Sequence, residues 1–137
     1  MYQHTLRQSV ASVVIFGHVA LFMYGFFGLG LFGPLWSEDA LQVILMSTPV
    51  LGLTAGAGLI YILDTETVRR KGKKVNITTA FFCIAFPLAL ILSNFCLYWY
   101  AAGTPENFGP MELKLGLGVL ETFFATFLGA ISKKLFG

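Results

Sequence analysis

Few residues in this chain are equipped for chemistry, and Glu121 stands out, set in the run Gly116-Leu-Gly-Val-Leu-Glu-Thr-Phe-Phe-Ala-Thr-Phe-Leu-Gly129. An ionisable group near the centre of a bilayer costs roughly 2.5–3.5 kcal/mol to insert, so where one occurs it faces protein or a pore and marks a functional position. Helical spacing groups Gly118, Ala125 and Gly129 with Glu121 and turns Phe123, Phe124 and Phe127 elsewhere. That predicts a small-residue face open to another helix. Such a face accommodates the neutral acid, acting either as a hydrogen-bonding group or as a proton- or ion-responsive one. His18 lies in a second apolar run with Ala11, Val14, Phe22 and Gly25 on its face. It reads as a histidine packed against a polar partner, Glu121 being the candidate, or as a pH-sensitive switch. Asn94, with Ser93 beside it, is the third polar position at depth and is expected to hydrogen-bond between helices.

Other chemistries find no material. The second histidine, His4, precedes its apolar run, so a bis-histidine haem within one chain is excluded. Cys83 and Cys96 stand thirteen apart in apolar surroundings with no metal-ligand spacing and read as small buried hydrophobes. There is no phosphate-binding glycine loop, nucleophile elbow or HExxH. The chain is therefore expected not to be an enzyme and to hold no cofactor or metal. A net charge of +2 gives no reason to expect direct nucleic-acid binding.

The elements that must position these residues are apolar throughout. Of the 137 residues, 56% are hydrophobic and only 12% charged, and the mean hydropathy is +0.76. A single domain of this length cannot hide so much apolar surface from water, so lipid is the expected solvent. A span needs about 20 apolar residues, and four runs qualify, over about 10–33, 40–63, 77–102 and 113–132. Continuous rather than alternating apolarity predicts helices, not a barrel. The expected fold is an all-α membrane protein, a single four-transmembrane-helix bundle. The first run exceeds the 7–15 residues of a signal core and is read as retained. Asn76-Ile77-Thr78 matches a glycosylation sequon, but beside a basic loop the match is read as chance.

Charge sets the expected orientation. Arg7, the loop residues Arg69, Arg70, Lys71, Lys73 and Lys74, and Lys133 with Lys134 put eight of nine basic residues on one side. Lys114 lies on the other side with Glu38, Asp39, Glu106 and Glu112. By the positive-inside rule both termini are cytoplasmic, and Trp36 with Tyr98-Trp99-Tyr100 falls at the outer interface. The basic loop is also suited to anionic lipid head groups or to an acidic cytoplasmic partner. Gly52 and Gly56 form a GxxxG in the second run, a surface for close helix pairing. Pro49 and Pro87 permit kinks, and Gly25, Gly28, Gly30 and Gly33 loosen the outer end of the first helix.

The stretch Met111-Glu-Leu-Lys-Leu-Gly116 through Glu121 to Gly129-Ala-Ile-Ser-Lys-Lys-Leu-Phe-Gly137, with Ser47-Thr48-Pro49, resembles small four-helix membrane proteins of bacterial anti-phage systems of the Kiwa membrane-subunit type. The resemblance concerns some forty residues and no diagnostic motif. It implies an oligomeric membrane sensor or effector that works with a cytoplasmic protein, docked on the basic loop. The expected function is thus a homo-oligomeric channel, pore or sensor-effector of the bacterial inner membrane. The alternatives are a small proton-coupled exporter or a non-catalytic subunit of a larger membrane complex. Small multidrug exporters carry their membrane glutamate on the first helix, whereas here the first run has His18 and no acid.

Overall fold

The structure, a computed structural model, describes residues 1–31, 33, 38, 42, 45, 74–104 and 106–135, with 128 and 131–135 in their backbone only. Most of the second expected span, with Gly52 and Gly56, lies outside the described residues. So do Arg69, Arg70, Lys71 and Lys73.

Among the described residues the chain is helical, with one isolated antiparallel bridge between Tyr2 and Lys74. Helix α1 runs over Gln3–Met23 and continues as a π-helix over Tyr24–Leu31. The first helix therefore begins well before the first apolar residue of its run. Wide π-helical turns are rare; here they coincide with Tyr-Gly-Phe-Phe-Gly-Leu-Gly-Leu, the glycine-rich end of the first run. Helix α2, Ile77–Gly103, occupies the third apolar run. Asn76 caps it, its side-chain oxygen accepting from the Thr78 amide at 3.1 Å, so the sequon asparagine has a local structural use. Helix α3, Pro110–Leu135, opens with proline at its first position and Glu112 two residues on. The Glu112 carboxylate reaches back to accept from the Gly109 amide at 3.0 Å, which is half of a capping box.

Two buried clusters fix how the helices run. One joins Leu6, Val10 and Val14 of α1 to Ala80, Cys83 and Ile91 of α2 and Phe124 of α3. The other joins Leu21 and Leu29 to Tyr98 and Ala101 and to Leu113 and Leu117. Early α1 thus meets early α2 and late α3, so α1 and α2 are parallel and α3 is antiparallel to both. The Tyr2–Lys74 bridge and a bond from the Val75 amide to the Met1 carbonyl, 3.0 Å, hold the starts of α1 and α2 together. Arg7, Lys74 and the C-terminal end of α3, with Lys133 and Lys134, share that end of the bundle. Glu106, Glu112 and Lys114 share the other.

Close approach is made at glycines. A Cβ at Gly17 of α1 would collide with the Ile91 side chain of α2, and one at Gly116 of α3 would stand 2.8 Å from Leu97. Outward, the helices are apolar. Phe16, Ile77, Phe81, Phe82, Trp99, Leu115 and Phe123 are each more than half exposed. Two helices, Gln3–Leu31 and Ile77–Gly103, are long and apolar enough to cross a membrane.

Candidate functional site

Among the described residues, His18, 2% exposed, and Asn94, 1% exposed, are the two buried polar residues of the core. Each is fastened to its own helix. The His18 Nδ1 stands 2.8 Å from the Val14 carbonyl; a carbonyl only accepts, so Nδ1 carries the proton and donates. The Asn94 side-chain amide donates to the Leu90 carbonyl at 3.2 Å. Ser93 does the same from an exposed position, donating to Ala89 at 2.8 Å. Among the described residues the bonds of Asn94 and Ser93 thus run within their own helix, not between helices as expected. Short polar side chains in a helix readily find the carbonyl four residues back, which is already in place.

His18 differs from expectation in its neighbour as well. Its ring edge lies against Phe124 of α3, with centroids 4.5 Å apart at 72°, and its polar partner is Val14 rather than Glu121. Phe124 is 1% exposed and belongs to the inward face of α3 with Leu113 and Leu117. Gly118, Ala125 and Gly129 lie on an exposed face instead, and an added Cβ at Gly118 or Gly129 would meet nothing within 4 Å. Within the described residues the close-packing glycine of α3 is Gly116. The sequence offers both sets of small residues, and only the contact with Leu97 separates them.

Glu121 is half-buried, with both carboxylate oxygens shielded from solvent and neither hydrogen-bonded. Its height in the bundle follows from the contacts around it. Ile91 of α2 meets Gly17 of α1, and Phe124 of α3 meets His18. One turn further along α2 is Asn94, and one turn back along α3 is Glu121. Because these helices are antiparallel, both steps lead the same way. The next approach beyond, Leu97 against Gly116, and the stacked Phe86 and Phe127 on the near side, at 4.3 Å, bracket the same register. Three helices thus bring a histidine, an asparagine and a glutamate to within about one turn of a common level, midway along the bundle.

The atoms left over at that level share one character. His18 Nε2, Asn94 Oδ1 and both Glu121 oxygens are buried and without a hydrogen-bond partner. Among the described residues no group of three or more histidine, cysteine or acidic side chains is placed to hold a metal. Cys83 is buried and Cys96 exposed, and they are not bonded to each other. Comparison with protein families, with curated proteins and with solved structures finds no match.

Proposed function

We propose that this chain crosses the bacterial inner membrane four times with both termini in the cytoplasm. We further propose that it works as an oligomeric sensor-effector or channel whose ion-responsive element is the level of His18, Asn94 and Glu121. The observation that carries this reading is the set of buried, unpartnered polar atoms at mid-bundle. Buried polar groups in a packed core are nearly all hydrogen-bonded, so those that are not call for an explanation, and a functional role is one. The outward Phe16, Phe81, Phe82 and Leu115 support a lipid surround, since soluble monomers rarely expose large contiguous apolar patches. Gly33 at one end and Lys74 at the other support a return crossing between them. The eight basic residues of one side support the orientation. The resemblance to anti-phage membrane subunits supports a cytoplasmic partner on the basic loop and a role in defence.

The test is ion flux in liposomes holding the purified protein, measured across a pH series for the parent, Glu121→Gln and Glu121→Leu. Gln keeps the size and most hydrogen-bonding capacity of the neutral acid. It is expected to assemble as the parent does and to lose the response. Full response of the Gln variant at every pH would sink the reading. Where flux is absent, the same three proteins are compared for protection of cells against phage.

A further inference from the structure

We infer that the end of the first helix is a two-register element: Tyr24–Leu31 winds as a π-helix here and rewinds as an α-helix, exchanging Gly30 for Gly28 on its packed face. The inference goes beyond the ion-responsive reading and does not depend on Glu121. Its ground is the match between register and burial. Counted from Gly25, an α register returns to the same face after three and four residues, at Gly28 and Leu29. A π register, with its i→i+5 bonds, returns after four and five, at Leu29 and Gly30. The structure buries Gly25, Leu29 and Gly30 and leaves Gly28 exposed. Its packing therefore follows the π register.

The same residues also fit the other register. Leu29, which shares a buried cluster with Tyr98, Ala101, Leu113 and Leu117, keeps its inward place in both. A glycine stands on each side of it, so either register brings a glycine to the second inward position. Rewinding turns Gly28 onto the row of Leu21 and Gly25 and carries Gly30 away from it. Tyr24, at the joint, keeps its ring against Phe95, 5.4 Å between centroids. Gly33 belongs to the π state. A Cβ there would collide with the Gly28 carbonyl oxygen and the Leu29 Cα and stand 2.7 Å from the Leu29 carbonyl oxygen. These are backbone atoms, which no rotamer change moves aside, whereas alanine is at home in an α-helix. At Gly28 a Cβ would meet only the Tyr24 ring, at 3.5 Å, an ordinary contact. The two glycines thus constrain in opposite directions. A side chain at 33 excludes the π register, and a large one at 28 excludes the α register by overpacking the Leu21 row.

The test is ¹⁵N relaxation dispersion on the full chain in detergent micelles, read at the Leu29 and Gly30 amides. Helix register shifts fall in the μs–ms range. The parent is expected to show exchange at these amides with a minor state of about 1–10%, and none at Val10 and Val14 in the α-helical part. Gly28→Leu is expected to abolish the exchange. Gly33→Ala is expected to move the main Leu29 and Gly30 resonances onto the minor-state positions of the parent. A ¹³C–¹⁵N distance measurement then identifies the registers. The Tyr24 carbonyl is expected to lie against the Leu29 amide, five residues on, in Gly28→Leu, and against the Gly28 amide, four residues on, in Gly33→Ala. No exchange in the parent, exchange that survives Gly28→Leu, or the same Tyr24 pairing in both variants overturns the inference. Should Gly33→Ala not fold, the parent and Gly28→Leu decide it by the first two of these outcomes.

Discussion

Asn94 shows most directly what the polar level costs the fold. A buried acceptor with no partner is destabilising by about 1–3 kcal/mol, because water has been removed and nothing replaces it. Asn94→Leu, of similar volume, removes that cost and adds apolar contact beside Ile91. The expected outcome is a protein more stable by about 1 kcal/mol that no longer responds in liposomes. Unfolding midpoint and flux, measured on one preparation, check both halves; a fall in stability would show that Asn94 Oδ1 has a partner after all. At this scale the sequence is informative. Glu121, His18 and Asn94 can be picked out as residues that lipid rejects. Their common level cannot, because it depends on the register among helices, and that register is set by contacts such as Ile91 with Gly17. Nor does the chain announce that Val14 and Leu90 take the donors, since a helix offers every polar side chain both its own carbonyls and its neighbours'.

Among the elements, α3 supplies the sharpest contrast. Gly116 and Gly118 are two residues apart and identical in chemistry, yet one faces Leu97 and the other faces open space. Gly116→Leu is expected to destabilise by about 1–3 kcal/mol, as overpacked helix contacts do. Gly118→Leu is expected to leave the stability of the single chain unchanged within about 0.5 kcal/mol. Unfolding of the two variants side by side in the same detergent decides it, and equal losses would place α3 differently. At the start of α2, Asn76→Ala is expected to cost about 1 kcal/mol by removing the cap on the Thr78 amide, and Asn76→Asp to restore it. Helix existence is legible here because a largely apolar run of 27 residues in α2 would have no other economical way to satisfy its backbone in lipid. Helix facing is not. In water the apolar stripe of a helix marks its inside, but lipid is as apolar as a core, so Phe123 outside and Phe124 inside carry the same signature. That is why Gly118, Ala125 and Gly129 read as an interface when the described packing is made by Gly116.

For the whole molecule, charge rather than apolarity carries the directional information. Cysteines placed at Ser37 and Asn107 are expected to react with an impermeant thiol reagent added to intact cells, and one at Gly72 is expected to be protected until the membrane is opened. Labelling at Gly72 from outside would reverse the orientation. Four crossings already make α1 and α2, the first and third runs, point the same way; that they pack together is not written in any local segment, because helix order in a bundle is decided by contacts far apart along the chain.

That separation has a consequence for how the protein is made. Gly17 and Ile91 interlock, yet 91 minus 17 leaves 74 residues of synthesis between them. At about 5–20 residues per second, the ribosome needs on the order of 4–15 s to deliver the second partner after the first. Throughout that interval the face of α1 that ends up holding His18 waits for its partners on α2 and α3. Helix α3, by contrast, reaches α2 through a short loop and pairs with it almost as soon as it emerges. A chain stalled before α2 would therefore leave His18 without the two helices that bury it.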